Sequence, residues 1–153
     1  MASYPALVNP WASAVNNGLL DASPQGYADI MYDYVYDVTL NPSAIAAGTY
    51  TLLDQQPLEN DADFVMRGIG TNYYGGAFSV RFADATSYWF SNARIYYLNL
   101  VNSAASPYPV WPEIIFPAGG RIQIDWQDWS GAVNAIEVVF RGVKRFKVPQ
   151  ETA

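Results

Sequence analysis

The sequence contains no cysteine and no histidine. Without cysteine, the chain can form no disulfide bond and offers no thiolate as a nucleophile or metal ligand. Without histidine, it lacks the commonest general base, the usual activator of serine nucleophiles and a principal ligand of zinc and copper. We therefore predict a protein that is not an enzyme and that holds no cofactor or metal ion.

Charged residues are also scarce, at 14% of the chain, and the net charge is −6. A negative net charge disfavours binding to nucleic acid. No lysine or arginine precedes Arg67, and four of the eight basic residues lie close together near the C-terminal end: Arg141, Lys144, Arg145 and Lys147. Such an asymmetry can orient copies of the chain, or the chain and a partner, on contact. Chance and solubility are the alternative explanation.

Long apolar runs are missing as well. No stretch of 18 apolar residues occurs, so we expect neither a transmembrane helix nor a membrane partner. The first five residues, MASYP, lack the basic and apolar segments of a secretory signal. We expect the protein to stay in the cytoplasm in which it is made until it assembles.

Apolar residues are abundant, and many of them are aromatic. They make up 51% of the 153 residues, and the chain has 12 tyrosines, 7 phenylalanines, 5 tryptophans, 11 glycines and 10 prolines. This composition favours strands and turns in a single domain. It is typical either of a dense core or of an apolar surface that a partner covers.

Residues 1–27 are rich in proline, asparagine and glycine and show no regular periodicity. We interpret them as an extended N-terminal arm, because prolines at these intervals interrupt regular elements. Tyr4, Leu7 and Trp11 are candidate anchors for a partner surface. The alternative is a disordered tail, although such tails seldom carry large aromatic residues.

An alternation of apolar and polar residues begins at Ile30 and continues to Leu40, which predicts a long strand with one buried face. Shorter patterns predict further strands at 50–53, 64–69, 78–82, 88–90, 94–100, 113–116, 121–126 and 135–146. We interpret Gly142 as a bulge in the last of these strands. About nine strands and no long helix predict an all-β sandwich or barrel at residues 28–148, followed by a C-terminal tail at 149–153.

Paired carboxylates are the catalytic pattern that remains to be considered. Asp125 with Asp128, or Asp61 with Asp63, could perform acid and base chemistry. The simpler interpretation of Asp125 and Asp128 is that they are solvent-facing aspartates of a strand and its turn. Asp61 and Asp63 could bind calcium, but two carboxylates fall short of the six to eight oxygen ligands that calcium takes.

The aromatic residues allow a carbohydrate-binding surface. The candidates for a platform on which sugars stack are Trp89, Trp111, Trp126, Trp129, Tyr73, Tyr74, Tyr96 and Tyr97. Aromatic residues also dominate cores and protein interfaces, and these alternatives stay open. Trp111 lies in a proline-rich segment, 103–112, that we interpret as a loop with an exposed tryptophan.

Several segments resemble the capsid decoration, or cement, proteins of tailed bacteriophages. They are PEIIFPAGGRIQID at 112–125 and VFRGVKRF at 139–146, which look like the C-terminal part of such proteins, and DADFVMRGI at 61–69 and FSVRF at 78–82. The resemblance extends over the last two thirds of the chain and consists of strands and turns without an active-site signature. The first 60 residues match no pattern of the family.

The resemblance implies a jelly-roll-like β-sandwich of about eight or nine strands that binds the outside of an icosahedral shell and bridges major capsid subunits. It also implies a homo-oligomer, either a dimer or a trimer, located on the capsid exterior. In this interpretation Trp111, Arg141, Lys144 and Arg145 are partner-binding residues beside the arm anchors. A carbohydrate-binding or adhesion module, and a phage tail or neck component, are the alternatives.

Overall fold

The protein is an all-β sandwich. Its computed structural model describes residues 26–42, 46–100 and 107–148, together with the backbone of 20–23. Nine strands are present in these residues: β1 Leu20–Ser23, β2 Tyr27–Leu40, β3 Tyr50–Pro57, β4 Asp63–Tyr74, β5 Phe78–Ala83, β6 Ile95–Tyr96, β7 Tyr108–Phe116, β8 Arg121–Asp128 and β9 Asn134–Lys147. The predicted class and the approximate strand number are confirmed.

The strands form two antiparallel sheets with the pairing of a jelly roll. One sheet has the order β1-β2-β9-β4-β7 and the other has the order β3-β8-β5-β6. The first long strand therefore pairs with the last, β3 with β8, β4 with β7 and β5 with β6. Folding a long hairpin back on itself in this way gives the two Greek keys of the jelly-roll architecture.

Strand β2 shows why the sequence folds in this register. Tyr34 and Tyr36 are each only 6% exposed, whereas Met31 and Val35 on the opposite face are 74% and 51% exposed. The face predicted from the alternation is therefore the buried one. A shift of the register by one residue would exchange the two faces and turn Asp33 and Asp37 toward the core.

Aromatic side chains from both sheets fill the core. The Tyr36 and Trp126 rings stack with their centroids 6.2 Å apart, and Phe82 meets Phe140 edge to face at 5.4 Å. Trp126 and Phe140 are completely buried. Complete burial of a large apolar side chain contributes roughly 1.5–3 kcal/mol, so these contacts between the sheets hold the sandwich together.

The bulge lies in β4 and not at Gly142 of β9, where we expected it. Met66 faces Gly142 and Gly68 faces Arg141, so Arg67 is the additional residue on the β4 side. The pairing of β9 with β2 continues through the same region without a shift. The glycine thus lies opposite a bulge of the neighbouring strand.

Two other predictions require correction. Residues 20–23, which we assigned to the arm, form β1 and pair with β2, so the sandwich begins before residue 28. The strands predicted at 88–90 and 94–100 are reduced to a single bridge between Trp89 and Ala83, the short β6 and a 3-10 helical turn at Tyr97–Asn99. Residues 1–19 and 149–153 lie outside the described residues.

Candidate functional site

A protrusion interrupts β7, the edge strand of the five-stranded sheet. Ile114 faces Met66 and Pro109 faces Gly68, so the four residues 110–113 lie opposite Arg67 alone. These four residues leave the regular ladder, and we call them the β7 protrusion. The segment is part of β7 and not of the loop that we predicted for 103–112, whose residues 103–106 lie outside the described residues.

The base of the β7 protrusion is held by polar and steric contacts. The Arg67 side chain donates from Nε to the Glu113 carboxylate at 2.9 Å. At Gly68, a side-chain Cβ would lie 3.2 Å from the Pro107 ring, so the glycine allows the chain that enters β7 to approach closely. The bulge in β4 and the protrusion in β7 are therefore joined by an ion pair.

Trp111 projects from this protrusion, and its peptide bond to Pro112 is cis. Its side chain is 90% exposed, the highest exposure among the described large apolar residues. The prediction that Trp111 is exposed is confirmed. Val110, directly before Trp111, and Ile114, three residues after it, are partly buried and pack against the core, so the protrusion is supported from below.

An apolar groove of about 360 Å³ runs beside the protrusion, where the β7 edge faces the loop that follows β5. Its floor reaches the core residues Met66 and Phe82, and Tyr88 and Trp89 line it from the opposite side. Glu113 is the one charged residue among the described groove residues. This chemistry suits an apolar or aromatic side chain of a partner and offers little to a charged ligand.

Arg141 and Arg145 lie on the outer face of the same sheet and pair with aspartates of β2. Arg141 contacts Asp33 at 2.8 Å, and Arg145 binds both oxygens of Asp29, each at 2.8 Å. Hydrogen bonds with these aspartates raise the pKa of both guanidinium groups. The charge asymmetry of the sequence thus has a use within the chain, and contact of the two arginines with a partner stays a prediction.

Lys144 faces the interior. Its side chain is only 6% exposed, its ammonium donates to Asp61 at 2.9 Å and to Glu59, and it lies 4.1 Å from the centre of the Tyr32 ring. Burial opposes the charge, but the hydrogen bonds with Glu59 and Asp61 outweigh it and raise the pKa of Lys144. The lysine therefore holds the loop between β3 and β4 in place. We predicted that Lys144 contacts a partner, but its burial removes it from the partner-binding surface.

The arm residues Tyr4, Leu7 and Trp11 lie outside the described residues. Their role as anchors stays a prediction. Of the seven residues predicted to bind a partner, the structure therefore brings Trp111, Arg141 and Arg145 to the surface of one sheet.

Asp125 and Asp128 are not the solvent-facing aspartates that we expected. Asp125 is 6% exposed and accepts hydrogen bonds from Arg81 at 2.8 Å and Arg94 at 3.0 Å. Asp128 is 1% exposed and caps the following turn by accepting from the Ser130 N–H at 2.9 Å. Three positions apart on one strand, the two side chains leave on opposite faces. They do not converge as an acid and base pair would.

The other acidic pair is also occupied within the fold. Asp61 accepts from Lys144, and Asp63 accepts from the Ala118 N–H at 2.9 Å. Within 26–42, 46–100 and 107–148, no group of three or more acidic side chains is arranged to hold a metal ion. The calcium alternative therefore gains no support from this loop.

The tryptophans of the predicted sugar platform are dispersed. Trp126 is completely buried in the core, and Trp111 is on the β7 edge. Trp89 lies beside the end of β5, where the Arg81 guanidinium covers it at 4.1 Å, and Trp129 lies beside the start of β5 and donates to Ser79 at 3.0 Å. In the described part of the chain, Trp89 and Trp129 both contact side chains on the outward face of β5, whereas Trp111 and Trp126 do not, so the four tryptophans do not form a single row.

Sequence reasoning did not identify the groove or the ion pair between Arg67 and Glu113. The 46 residues that separate Arg67 from Glu113 hide their proximity. The close spacing of Pro109 and Pro112 was the available signal, because proline within a strand marks an edge or a bulge.

Comparison of the chain with family models, curated proteins and solved structures finds no match. Among the described residues, no helix has the length and apolar character that a membrane crossing requires.

Proposed function

We propose that the protein is a structural component of a virion that binds the outer surface of an icosahedral capsid and bridges major capsid subunits. The resemblance of its sequence to capsid decoration proteins motivates this proposal, and the geometry of the β7 edge supports it. In the proposal Trp111 is the central anchor, and the adjacent groove receives an apolar side chain of the capsid surface.

The exposure of Trp111 is the observation that carries the proposal. An indole that is 90% exposed leaves a large apolar area in water, and its burial would contribute roughly 1.5–3 kcal/mol. Tryptophan is enriched among the few residues that supply most of the binding energy in protein interfaces. Because Val110 and Ile114 pack against the core and Arg67 pairs with Glu113, part of the ordering of the protrusion precedes the binding of a partner.

The rest of the sheet surface can add polar contacts to this anchor. The Arg141 and Arg145 side chains are 35% and 22% exposed while paired with their aspartates. They can also donate to acidic groups of a capsid subunit. A shell repeats the same surface many times, and a molecule that spans two subunits gains avidity without any additional type of contact.

The test measures binding to empty shells of the tailed phage that encodes the chain. We expect Trp111→Ala to weaken co-sedimentation with the shells by at least tenfold, as for other interface hot spots. Tyr74→Ala is the matched control, because Tyr74 is an equally prominent aromatic residue, 84% exposed, away from the protrusion. Deletion of residues 1–19, which leaves β1 in place, tests the predicted anchors Tyr4, Leu7 and Trp11 separately.

Electron microscopy of purified particles completes the test. The proposal requires the chain on the shell exterior, in a copy number that follows the symmetry of the shell. Density for the chain in the tail or neck would instead support the tail-component alternative. Particles that lack the chain would overturn the proposal. Specific binding on a glycan array, lost in Trp89→Ala or Trp129→Ala, would favour the carbohydrate-binding alternative, which the dispersed tryptophans support less well.

A further inference from the structure

Among the described strands, the two sheets have four edge strands, and three of them are poorly suited to pair with a further strand. β1 has four residues and β6 has two. β7 carries Pro109, Pro112 and the protrusion, which oppose pairing with another strand along its length. β3 differs, because it runs for eight residues in continuous register with β8. The edge of β3 is therefore the one suited to accept a further strand.

The outer edge of β3 carries backbone groups that no described strand pairs with. The N–H of Gln55 donates to the carboxylate of its neighbour Asp54 at 2.9 Å, so this N–H points away from β8. Because backbone groups alternate in direction along a strand, those of Thr51 and Leu53 point to the same side. No described segment pairs with this side of β3. Pro57, which lacks an N–H, ends the series.

The side chains of this edge also lack the usual protection. β3 contains no lysine, arginine or internal proline, and Leu53 at its centre is 63% exposed. Native proteins normally protect a long regular edge with such residues, since the unpaired backbone groups otherwise invite another strand. Asp54 supplies the one negative charge of the strand, and its carboxylate is occupied by the Tyr36 hydroxyl and the Gln55 N–H.

We propose that β3 pairs in antiparallel orientation with β3 of a second copy of this chain, about a twofold axis at Leu53. The four-stranded sheets of the two molecules then form one continuous sheet. This inference rests on the β3 edge alone and holds whether or not the protein binds a capsid.

The sequence of β3 is complementary to itself in this register. Leu53 faces Leu53 of the second copy, and Thr51 faces Gln55. On the other face of the sheet, Asp54 lies opposite Leu52, so the two Asp54 carboxylates do not oppose each other. A like-charge pair directly across two strands is destabilising, and this register avoids it. Three facing pairs exchange two hydrogen bonds each, about six in total. Two of these require the Gln55 N–H of each copy to leave the Asp54 carboxylate.

The contact is small. A strand edge of five residues buries less than the roughly 800 Å² per partner of a typical stable complex. We therefore expect a dimer that forms at high protein concentration and dissociates on dilution, and whose formation a local excess of the chain on a surface would favour.

The absence of cysteine makes the pairing directly testable. Leu53→Cys introduces the single thiol of the chain at the proposed axis, within the Cα separation that a disulfide requires. Under mild oxidation at high concentration, we expect covalent dimer to form at least about tenfold faster than from Leu98→Cys, because only the paired edge holds its thiols within bonding range. Leu98 is the matched control, since it is 69% exposed and lies near the opposite edge of the same sheet.

The register has its own test. A mixture of Thr51→Cys and Gln55→Cys proteins should form the mixed dimer, because these residues face each other. Each variant alone should not form a covalent dimer, because identical residues would lie about four positions, or roughly 13 Å, apart along the strands.

Sedimentation analysis tests the dimer without cross-linking. Leu53→Lys should abolish the concentration-dependent dimer and leave the melting temperature unchanged.

Two outcomes would overturn the proposal. One is cross-linking of Leu53→Cys at the rate of Leu98→Cys, and the other is cross-linking of Thr51→Cys alone as fast as the mixture. Circular dichroism of each variant establishes that the chain is folded, and the high exposure of Leu53 makes the loss of folding by Leu53→Cys unexpected.

Discussion

Gly142 in β9 lies so close to Val65 in β4 that a Cβ atom on the glycine would be 1.9 Å from the Val65 carbonyl oxygen. This approach occurs directly beside the bulge at Arg67, where β4 gains one residue relative to β9. A bulge bends its strand and redirects the local backbone groups. The bulge places the Arg67 side chain beside Glu113, and it therefore requires glycine at position 142 of the neighbouring strand.

Gly142→Ala should destabilise the protein by at least about 1–3 kcal/mol, the usual cost of forcing additional atoms into a packed interior. Gly68→Ala should cost less, because its Cβ would lie 3.2 Å from the Pro107 ring, a neighbour that can move slightly. Urea unfolding followed by tryptophan fluorescence gives both free energies. Equal costs for the two substitutions would contradict this account.

Tyr36 should make stability dependent on pH in the alkaline range. Burial, together with the hydrogen bond to Asp54, raises the pKa of the Tyr36 hydroxyl above its ordinary value of 10.0. The folded state thus retains the proton where the unfolded state loses it, so this stabilisation is complete below pH 10 and is lost as the pH rises further. Burial likewise raises the pKa of Tyr34, and both tyrosines act in the same direction.

Tyr36→Phe should therefore reduce the loss of stability between about pH 10 and 12, measured as the shift in the urea midpoint. At neutral pH the same variant should be less stable by roughly 1–3 kcal/mol, since it removes a hydrogen bond to a charged group. Tyr74→Phe, at an 84% exposed position, is the control. An unchanged alkaline slope in Tyr36→Phe would assign the effect to other groups.

Arg145 and Arg141 should differ in importance although both pair with aspartates of β2. Asp29 is 5% exposed, and among the described basic residues Arg145→Ala would leave it the longer contact to Arg67 at 3.7 Å. We expect a loss of about 3 kcal/mol, because one partner of a buried pair is removed. Arg141→Ala should cost about 1 kcal/mol or less, since the Asp33 pair is partly solvated.

Thermal unfolding of the two alanine variants measures this difference. The double variant Asp29→Asn with Arg145→Ala should recover part of the loss, since no unpaired buried charge remains. A double variant as unstable as the sum of the single changes would show that the two residues act independently.

Asp37 and Glu137 lie directly opposite each other in β2 and β9, in a shallow recess on the outer face of the five-stranded sheet. Like charges that face each other across strands are destabilising, and an opposite pair is favourable. Glu137→Lys should therefore raise the free energy of unfolding by about 0.5–1 kcal/mol at low salt. The gain should shrink in 1 M salt, where charges are screened. A gain that does not depend on salt would exclude this electrostatic explanation.

Elements with a clear period of two could be predicted from the sequence. The alternation in β2 identified its buried face, and the patterns at 113–116 and 121–126 located parts of β7 and β8. The turn at 117–120 between them does not form a hairpin, because β7 and β8 belong to different sheets. A local pattern is sufficient to predict these strands, because the polarity of each side chain indicates whether it lies on the buried or the exposed face. The short β6 and the turn after it could not be predicted in the same way, since aromatic residues there contact the core without forming a full strand.

The candidate site could be predicted only in part. The exposure of Trp111 followed from the prolines around it, whereas the groove requires the distant strands β4, β5 and β7 to meet. Lys144 and Asp125 were misjudged for the same reason. Alternation places Asp125 on the outward face, but its burial comes from Arg81 and Arg94, which the sequence separates from it by 44 and 31 residues.

The pairing of β2 with β9 also governs how the chain must be made. Asp29 and Arg145 are 116 residues apart, so the tyrosine-rich β2 emerges from the ribosome long before the strand that covers it. Architectures dominated by such distant pairings fold slowly, because closure of a long loop must precede the gain from contact. The nascent polypeptide therefore passes through a prolonged period with unprotected aromatic segments, in which chaperones or rapid incorporation into a larger structure would improve its yield.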